Sequence, residues 1–354
     1  MNKAILLAPL PPPYGGIATW ATKLLSTNLK DDWEIAIVDE KFIDNRSSHS
    51  DSNKPNLLNE ARRCFKIWKN LMRELKKSNA KVVHACSAAT LNGMLRDSIS
   101  SIITRVFRRK FVIHFHCTVP NEINTFMKLI VFKFLCMNSD AVMVLNEQAK
   151  KFVDDNTKTE VFLVPNFVKV DDIINQRSYK EVVRKVIYTG GVTKQKGCDE
   201  VIKAAKSFPH VEFELIGSVT KEIESLQIPG NVKLTGVKDK DYIYEKLMEA
   251  DVFVFFSHMS SEGFSISLLE AMAAGLPCIV SNWAANTEMV ESQGGIVVPV
   301  HNVEELTRAI SKIINDRVKR EQMGKWNVDK VTSQYCEQVV TSQYVDVYNR
   351  SIVG

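Results

Sequence analysis

Short continuous runs of apolar and β-branched residues alternate with segments of helical period, and this alternation occurs in two successive series. Segments of helical period are 57–77, 121–137, 200–208, 243–250, 265–274 and 303–314. The apolar runs are 4–7, 35–38, 82–84, 111–115, 141–145 and 161–164, then 186–188, 211–216, 232–234, 252–256, 277–280 and 295–298. Strands that are apolar throughout, alternating with helices, are typical of buried parallel sheets. The pattern predicts an α/β protein with two doubly wound, Rossmann-like domains facing a central cleft.

The chain has 354 residues, which suits two α/β domains of roughly 170 residues each better than one core. We expect the domain boundary near residues 165–177, where an apolar run ends and a polar stretch begins. The predicted domains are therefore residues 1–166 and 167–336. Residues 44–59 are polar and poor in apolar side chains, which predicts a mobile loop.

Composition excludes several classes of protein. No run of about 18 apolar residues is present, so no membrane span is predicted. The seven Cys have irregular spacing and form no CxxC pair, which favours a reducing, cytoplasmic compartment and argues against a zinc site. No nucleic-acid-binding motif stands out.

The positive charge is concentrated in the first half of the chain. Residues 1–166 carry 24 Lys and Arg against 16 Asp and Glu, although the whole chain is only +5. Two basic stretches, 62–77 and 105–110, are interleaved with apolar residues. They predict either a surface that contacts the anionic inner face of a membrane or two solvated helix faces that cover a core.

The strongest local signal is the segment from Ser260 to Pro277, SSEGFSISLLEAMAAGLP, which follows the run 252–256. Its pattern predicts a turn at Gly263, a helix that opens near Ser265 and a stop at Gly275. The unpaired N–H groups at the start of such a helix can bind a phosphate. Glu262 and Glu270 lie eight residues apart and place carboxylates before and inside this helix. By spacing alone, they are equally compatible with two surface carboxylates.

This segment resembles the Glu-x7-Glu signature of the GT4 family of retaining glycosyltransferases (glycosyl transferases group 1), which have the GT-B fold. The resemblance implies that Glu262 contacts the donor sugar and that Glu270 binds the nucleotide ribose. It also implies that the distal phosphate lies against Gly263, Phe264, Ser265 and Ile266. In GT-B proteins the final helix returns to the first domain, which we expect of residues 337–354.

Two segments of the first half extend the resemblance. Gly15 and Gly16 follow the first apolar run and resemble the family's glycine loop, ahead of a helix expected near Ala18. His116 directly follows the run 111–115 and resembles the family's histidine beside the donor sugar. His114 shares its strand face and is interpreted as a core imidazole.

The segment 188–197 resembles the family's Gly-Arg…Glu-Lys-Gly segment, with one departure. Lys196 matches the family lysine, but Gly191 stands where the family has the arginine. Lys194 is either a substitute for that cation or a solvated loop charge. Gly217, at the end of another predicted strand, resembles a residue lining the nucleobase side.

The resemblance implies a metal-independent hexosyltransferase without a cofactor, in which His116, Lys196 and Glu262 are the catalytic residues. We expect a UDP-linked hexose or N-acetylhexosamine as donor and a lipid-linked glycan as acceptor. The implied pathway is bacterial surface polysaccharide synthesis, such as O-antigen, capsule or lipopolysaccharide. Two alternatives stay open: a sugar-nucleotide epimerase on the same fold, and a nucleotide-sugar-binding protein whose catalysis is impaired through Gly191.

Overall fold

The structure is a computed structural model that describes residues 1–12, 15–27, 29, 33–41, 57–173 and 177–353. Residues 44–56 of the predicted mobile loop lie outside the described residues. Residues 57–59, which were assigned to the same loop, instead begin a helix. The chain divides into two compact units, Met1–Asn166 with Gln338–Gly354, and Phe167–Glu337.

Unit 1 contains a six-stranded parallel sheet in the order β2-β1-β3-β4-β5-β6. The chain places β2 on one side of β1, then crosses to place β3 on the other side and adds β4, β5 and β6 in that direction. The strand order therefore reverses between β1 and β3. The strands, whose apolar runs are largely buried, are β1 Asn2–Ala8, β2 Trp33–Asp39, β3 Val82–Ser87, β4 Lys110–Phe115, β5 Ala141–Val144 and β6 Val161–Leu163.

The helices of unit 1 cover this sheet. They are α1 Gly16–Leu25, α2 Leu57–Lys77, α3 Leu91–Val106, α4 Val119–Glu122, α5 Phe126–Met137, α6 Glu147–Asn156 and, at the end of the chain, α14 Glu337–Val353. Helix α14 packs into unit 1 through buried polar contacts: Tyr344 accepts a hydrogen bond from Trp20 Nε1 (3.1 Å), and the Tyr348 hydroxyl lies 2.7 Å from His84 Nδ1. The tail is thus part of the fold of unit 1.

Two expectations about helices in unit 1 were wrong. The segment 121–137 is not one helix, because the Thr125 side chain accepts a hydrogen bond from Lys128 N and caps a new helix, α5, after α4 has ended. Residues 105–110 are not a helix face either. Arg105 lies in the last turn of α3, Arg108 has a left-handed backbone (φ 54°), and Lys110 begins β4.

Unit 2 contains a second six-stranded parallel sheet, in the order β12-β11-β10-β7-β8-β9. From β7 the chain builds outward through β8 and β9, then crosses to β10 and builds the other way. The strands are β7 Lys185–Thr189, β8 Glu212–Ile216, β9 Val232–Gly236, β10 Val252–Phe255, β11 Cys278–Ser281 and β12 Gly295–Val298. Ligands bind such sheets at the reversal of strand order, outside the carboxyl ends of the strands.

Helices of unit 2 connect these strands. They are α7 Cys198–Ala205, α8 Lys221–Glu224, α9 Lys240–Glu249, α10 Ile266–Ala273, α11 Asn286–Val290, α12 Val303–Ile314 and α13 Arg317–Lys330, followed by a π-helical turn, Val331–Tyr335. Within the described parts of both units, no helix has the length and apolarity that crossing a membrane requires.

The backbones at the ends of β7 and β8 approach so closely that one of them must be glycine. Gly217 has φ +148°, and a Cβ placed there would lie 1.8 Å from Gly190 O. By contrast, a Cβ at Gly191 would have its nearest contact at 3.8 Å, with the Thr193 methyl group. The fold therefore requires a glycine at residue 217, whereas it has room for a side chain at residue 191.

We expect Gly217→Ala to lower the free energy of unfolding by about 2–4 kcal/mol, because the methyl group overlaps a backbone carbonyl and the backbone angle is strained. The matched control, Gly191→Ala, should change it by less than about 0.5 kcal/mol. Urea denaturation followed by circular dichroism measures both. Equal stabilities of the two variants would contradict the close approach of the β7 and β8 ends.

Candidate functional site

The turn before α10 contains the helix start that the sequence predicted. Ser265 is the N-cap of α10, and its Oγ accepts a hydrogen bond from Leu268 N (3.3 Å). Gly263 O accepts from Ala285 N (3.3 Å), which fixes the preceding turn. Ile266 is the first helical residue. The first turn of a helix presents N–H groups at the positive end of its dipole, which favours a bound phosphate.

Lys196 and Glu262 form an ion pair between the Nζ and Oε2 atoms at this turn. Ser257 Oγ donates a second hydrogen bond to the same Glu262 oxygen (3.1 Å). The two charged side chains are 21% and 10% exposed, so solvent screens the pair only in part. The loop after β7 carries Lys196 and the loop after β10 carries Glu262. The pair therefore lies where the strand order reverses.

Lys196 is further held by its surroundings. Its Nζ lies 5.4 Å from the centroid of the Phe255 ring, a distance at which a cation is attracted by an aromatic face. The following Gly197 has φ +67°, and a Cβ there would lie 2.2 Å from Phe256 O. The backbone of the loop after β7 thus packs directly on the end of β10, next to Lys196.

Glu270 lies inside α10 and is half-buried. Its Oε1 accepts a hydrogen bond from the Tyr244 hydroxyl of α9 (3.3 Å). Sequence analysis missed Tyr244 because no spacing pattern connects it with Glu270. It also missed Ser257, although that residue follows β10 at the strand's carboxyl end, where ligand-facing groups collect.

The other predicted residues of unit 2 differ in what they offer a ligand. Phe264 is buried, and its ring packs edge-on against Tyr335 (5.1 Å). Gly217 lies directly after β8. Lys194 is exposed, and among the described residues none pairs with its ammonium group. The interpretation of Lys194 as a replacement cation stays a prediction.

The predicted residues of unit 1 lie at the carboxyl end of its own sheet. Gly15 is the N-cap of α1 and Gly16 is its first residue, so the helix begins earlier than the expected Ala18. Trp20, one turn further on, packs on the His116 ring with centroids 4.4 Å apart. Residues 13 and 14 of the predicted glycine loop lie outside the described residues.

His116 and His114 both have environments that keep them neutral. Burial lowers the pKa of each imidazole well below its usual value, and neighbouring histidines lower it further. Their rings lie 4.0 Å apart. His114 is fully buried, whereas His116 is half-buried and follows β4. The His116 side chain can therefore interact with a ligand as a neutral imidazole rather than as a cation.

Comparisons with known proteins show what the chain is similar to. Residues 170–327 match the family model for glycosyl transferases group 1. An uncharacterized glycosyltransferase of Methanocaldococcus jannaschii is 25% identical over 74% of this chain and 72% of its own length. The capsular polysaccharide biosynthesis glycosyltransferase CapM of Staphylococcus aureus is 27% identical over 57% of this chain and 52% of its own length.

The fold matches a solved structure over nearly its whole length. HepE from Anabaena, in a complex with UDP, superposes with a TM-score of 0.75 at 16% identity and covers 99% of this chain and 100% of that one. Its architecture, with two parallel sheets flanked by helices, is that of the GT-B glycosyltransferases. The chain therefore has the GT-B fold, and its residues 170–327 are similar to the glycosyl transferases group 1 family.

Proposed function

We propose that this chain is a retaining glycosyltransferase that moves a hexose or N-acetylhexosamine from a UDP-linked donor to a lipid-linked glycan. The observation that carries the proposal is the Lys196–Glu262 ion pair beside the first turn of α10. A cation and a helix N-terminus can bind a diphosphate, and the neighbouring carboxylate can accept hydrogen bonds from sugar hydroxyls. CapM is named for capsular polysaccharide biosynthesis, which supports surface polysaccharide assembly as the pathway.

The proposed chemistry follows from where charge develops. When the bond between the anomeric carbon and the diphosphate oxygen breaks, negative charge grows on the β-phosphate. The ammonium group of Lys196 and the amides at the start of α10 stabilise that charge, which lowers the barrier. The leaving phosphate oxygen takes the proton of the acceptor hydroxyl, and the new bond forms on the same face of the sugar. This route retains configuration without a covalent sugar–enzyme intermediate.

Other residues hold the donor in this proposal. Glu262, oriented by Ser257, accepts hydrogen bonds from sugar hydroxyls, and Glu270, oriented by Tyr244, accepts them from the ribose diol. The UDP bound to HepE supports uridine as the nucleoside. Lys196 and the α10 terminus supply the positive charge that a metal ion supplies in other transferases. We therefore propose that the transfer needs no metal ion.

We expect Lys196→Met to lower kcat by about 100- to 1,000-fold with a small change in KM, because it removes a charge interaction that matters most in the transition state. Glu270→Gln should raise KM for the donor by about 10- to 100-fold, because a charged hydrogen-bond acceptor is lost from the ribose site. Steady-state kinetics with UDP-sugars, combined with calorimetry of UDP binding, measures both effects.

The matched controls are Lys206→Met and Glu222→Gln, which change exposed residues of unit 2 that contact none of these groups. Wild-type kinetics in the Lys196 and Glu270 variants would refute the assigned site. UDP binding without transfer to any glycan lipid would instead identify a binding protein, the alternative favoured by Gly191. Conversion of the donor alone to its epimer, followed by NMR, would identify an epimerase.

A membrane-facing acceptor is supported by an apolar surface on unit 1, which we call the α3–α5 surface. Helices α3 and α5 pack side by side, and Arg105 at the end of α3 donates a hydrogen bond to Asn138 Oδ1 after α5 (3.2 Å). Exposed apolar side chains form one stripe on each helix: Leu95, Ile99, Ile102 and Val106, and Phe126, Met127, Ile130, Phe134 and Met137.

This surface includes Val106 of the second basic stretch and also extends onto α5, which the sequence interpretation did not include. In α2, the apolar residues Ile67 and Leu71 are buried in the core, so much of that helix's apolar face is structural. The α3–α5 surface is instead exposed, with Val106 at 74% and Phe126 at 78%. Exposed apolar stripes with nearby basic residues bind anionic bilayers through buried area and charge. We propose that it holds the enzyme at an anionic bilayer that contains the acceptor.

We expect the protein to sediment with phosphatidylcholine vesicles that contain about 30% phosphatidylglycerol and to bind pure phosphatidylcholine vesicles weakly, because charge supports the apolar contact. The double variant Val106→Ser/Phe126→Ser should lower the vesicle affinity at least about tenfold. The control is Val237→Ser/Val318→Ser, which removes two exposed apolar side chains from unit 2. Equal loss in both double variants would refute a role specific to the α3–α5 surface.

A further inference from the structure

Three side chains of unit 2 converge outside the proposed donor site: Glu200, His258 and His301. Glu200 lies in the first turn of α7, His258 lies between β10 and α10, and His301 lies between β12 and α12. His258 Nδ1 is 3.7 Å from Glu200 Oε2, and His301 Nδ1 is 3.6 Å from Glu200 Oε1. The two imidazole rings are 4.3 Å apart. All three donor atoms lie within 4.8 Å of one another.

The carboxylate of this cluster is buried and incompletely satisfied. Glu200 is only 6% exposed, and its Oε2 has no hydrogen-bond partner within the part of the chain that the structure describes. His258 Nδ1, which faces that oxygen, is also buried and has no such partner there. Buried polar atoms without partners are costly, so two that face each other indicate a missing ligand between them.

The donor set defines the chemistry of that ligand. Two imidazole nitrogens and one carboxylate suit a borderline divalent cation such as Zn²⁺, whereas Mg²⁺ and Ca²⁺ prefer oxygen-only sites. In tetrahedral coordination with bonds of about 2.0 Å, donor atoms lie about 3.3 Å apart. The separations of 3.6 and 3.7 Å run to the two different oxygens of Glu200. One ligand atom from each residue lies within 4.8 Å of the others, so the three side chains need to move by up to about 1.5 Å to enclose an ion.

We propose that Glu200, His258 and His301 bind one Zn²⁺ ion, with the fourth coordination position open to water. This site is separate from the proposed diphosphate site and does not depend on the transferase assignment. Sequence analysis argued against a zinc site from the Cys spacing alone and did not consider these three ligands, which are far apart in the chain.

The ion would connect the loops that carry the donor-site residues. Glu200 N donates to Gly197 O (3.1 Å), directly after Lys196, and His258 N donates to Gln195 O (3.0 Å) in the same loop. His258 also lies four residues before Glu262. A cation bound by Glu200 and His258 would therefore hold together the segments on either side of the Lys196–Glu262 pair. We infer a positioning role, because none of the three ligands is assigned a contact with donor.

Calorimetry of the chelator-treated full chain with ZnCl₂ tests the proposal. We expect one equivalent to bind with a micromolar or lower Kd, and the melting temperature to rise by a few degrees because only the folded state has the site. Co²⁺ should give the visible absorption bands of a low-symmetry four-coordinate site.

Glu200→Gln and His301→Asn should each weaken Zn²⁺ binding at least about tenfold and abolish the Co²⁺ bands. Asparagine is chosen at residue 301 because that backbone is left-handed (φ 60°), a conformation which asparagine tolerates. His301 is also 65% exposed, so its loss should leave folding intact even if Glu200→Gln does not fold. His210→Asn, at an exposed histidine of unit 2, is the matched control.

Two outcomes would overturn the proposal. The first is that the folded wild-type chain does not bind Zn²⁺. The second is that the His301→Asn and Glu200→Gln variants bind Zn²⁺ as strongly as the His210→Asn control. Both are independent of sugar transfer. A chain that lacks transferase activity but binds Zn²⁺ as described would refute the proposed function and leave the metal site standing.

Discussion

The ion pair between Lys196 and Glu262 is the interaction on which the arrangement of unit 2 depends. Each partner is on a loop that leaves the sheet at one of two adjacent strands, β7 and β10, where the strand order reverses. A partly buried charge without a partner is costly, so each side chain constrains the loop of the other. The pair therefore joins two segments that are distant in sequence at the one edge of the sheet where a ligand is expected.

In the proposed function, a diphosphate would compete for the ammonium group of Lys196, because Glu262 already pairs with that charge. The competition is favourable if the carboxylate finds new partners, and sugar hydroxyls are suitable donors to it. Ser257 Oγ, 3.1 Å from the same oxygen, keeps one lone pair satisfied during the exchange. The Phe255 ring under Lys196 limits where the ammonium can move. In the proposed function, the diphosphate and the sugar would therefore bind together, one to Lys196 and the other to Glu262.

Much of the fold could be predicted from the sequence, because continuous apolar runs such as 111–115 and 252–256 leave few alternatives to buried parallel strands. The start of α10 at Ser265 and its end before Gly275 could also be predicted, because both depend on the local sequence alone. Contacts between distant loops were not predictable in this way. Tyr244 of α9 and Glu270 of α10 meet only through the tertiary fold, and no periodicity within either helix encodes that contact.

The same limit applies to surfaces. An amphipathic pattern shows that a helix has an apolar face, but not whether that face meets the core or the solvent. In α2 the residues Ile67 and Leu71 meet the core, whereas in α5 the side chains of Phe126 and Phe134 remain exposed. Only the position of each helix on the sheet decides between the two, and that position depends on the packing of its neighbours.

Gly191 shows that a departure from a family pattern is not always required by the fold. A Cβ there would meet nothing nearer than the Thr193 methyl group at 3.8 Å and Ser218 Oγ at 3.9 Å, and the backbone is not left-handed. Sterically, residue 191 can therefore carry a longer side chain. The absence of the family's arginine at residue 191 is therefore not imposed by the strand end. Lys196 and the N-terminus of α10 retain part of the positive charge, and the exposed Lys194 can reorient at little cost because its ammonium group is not held by the described residues.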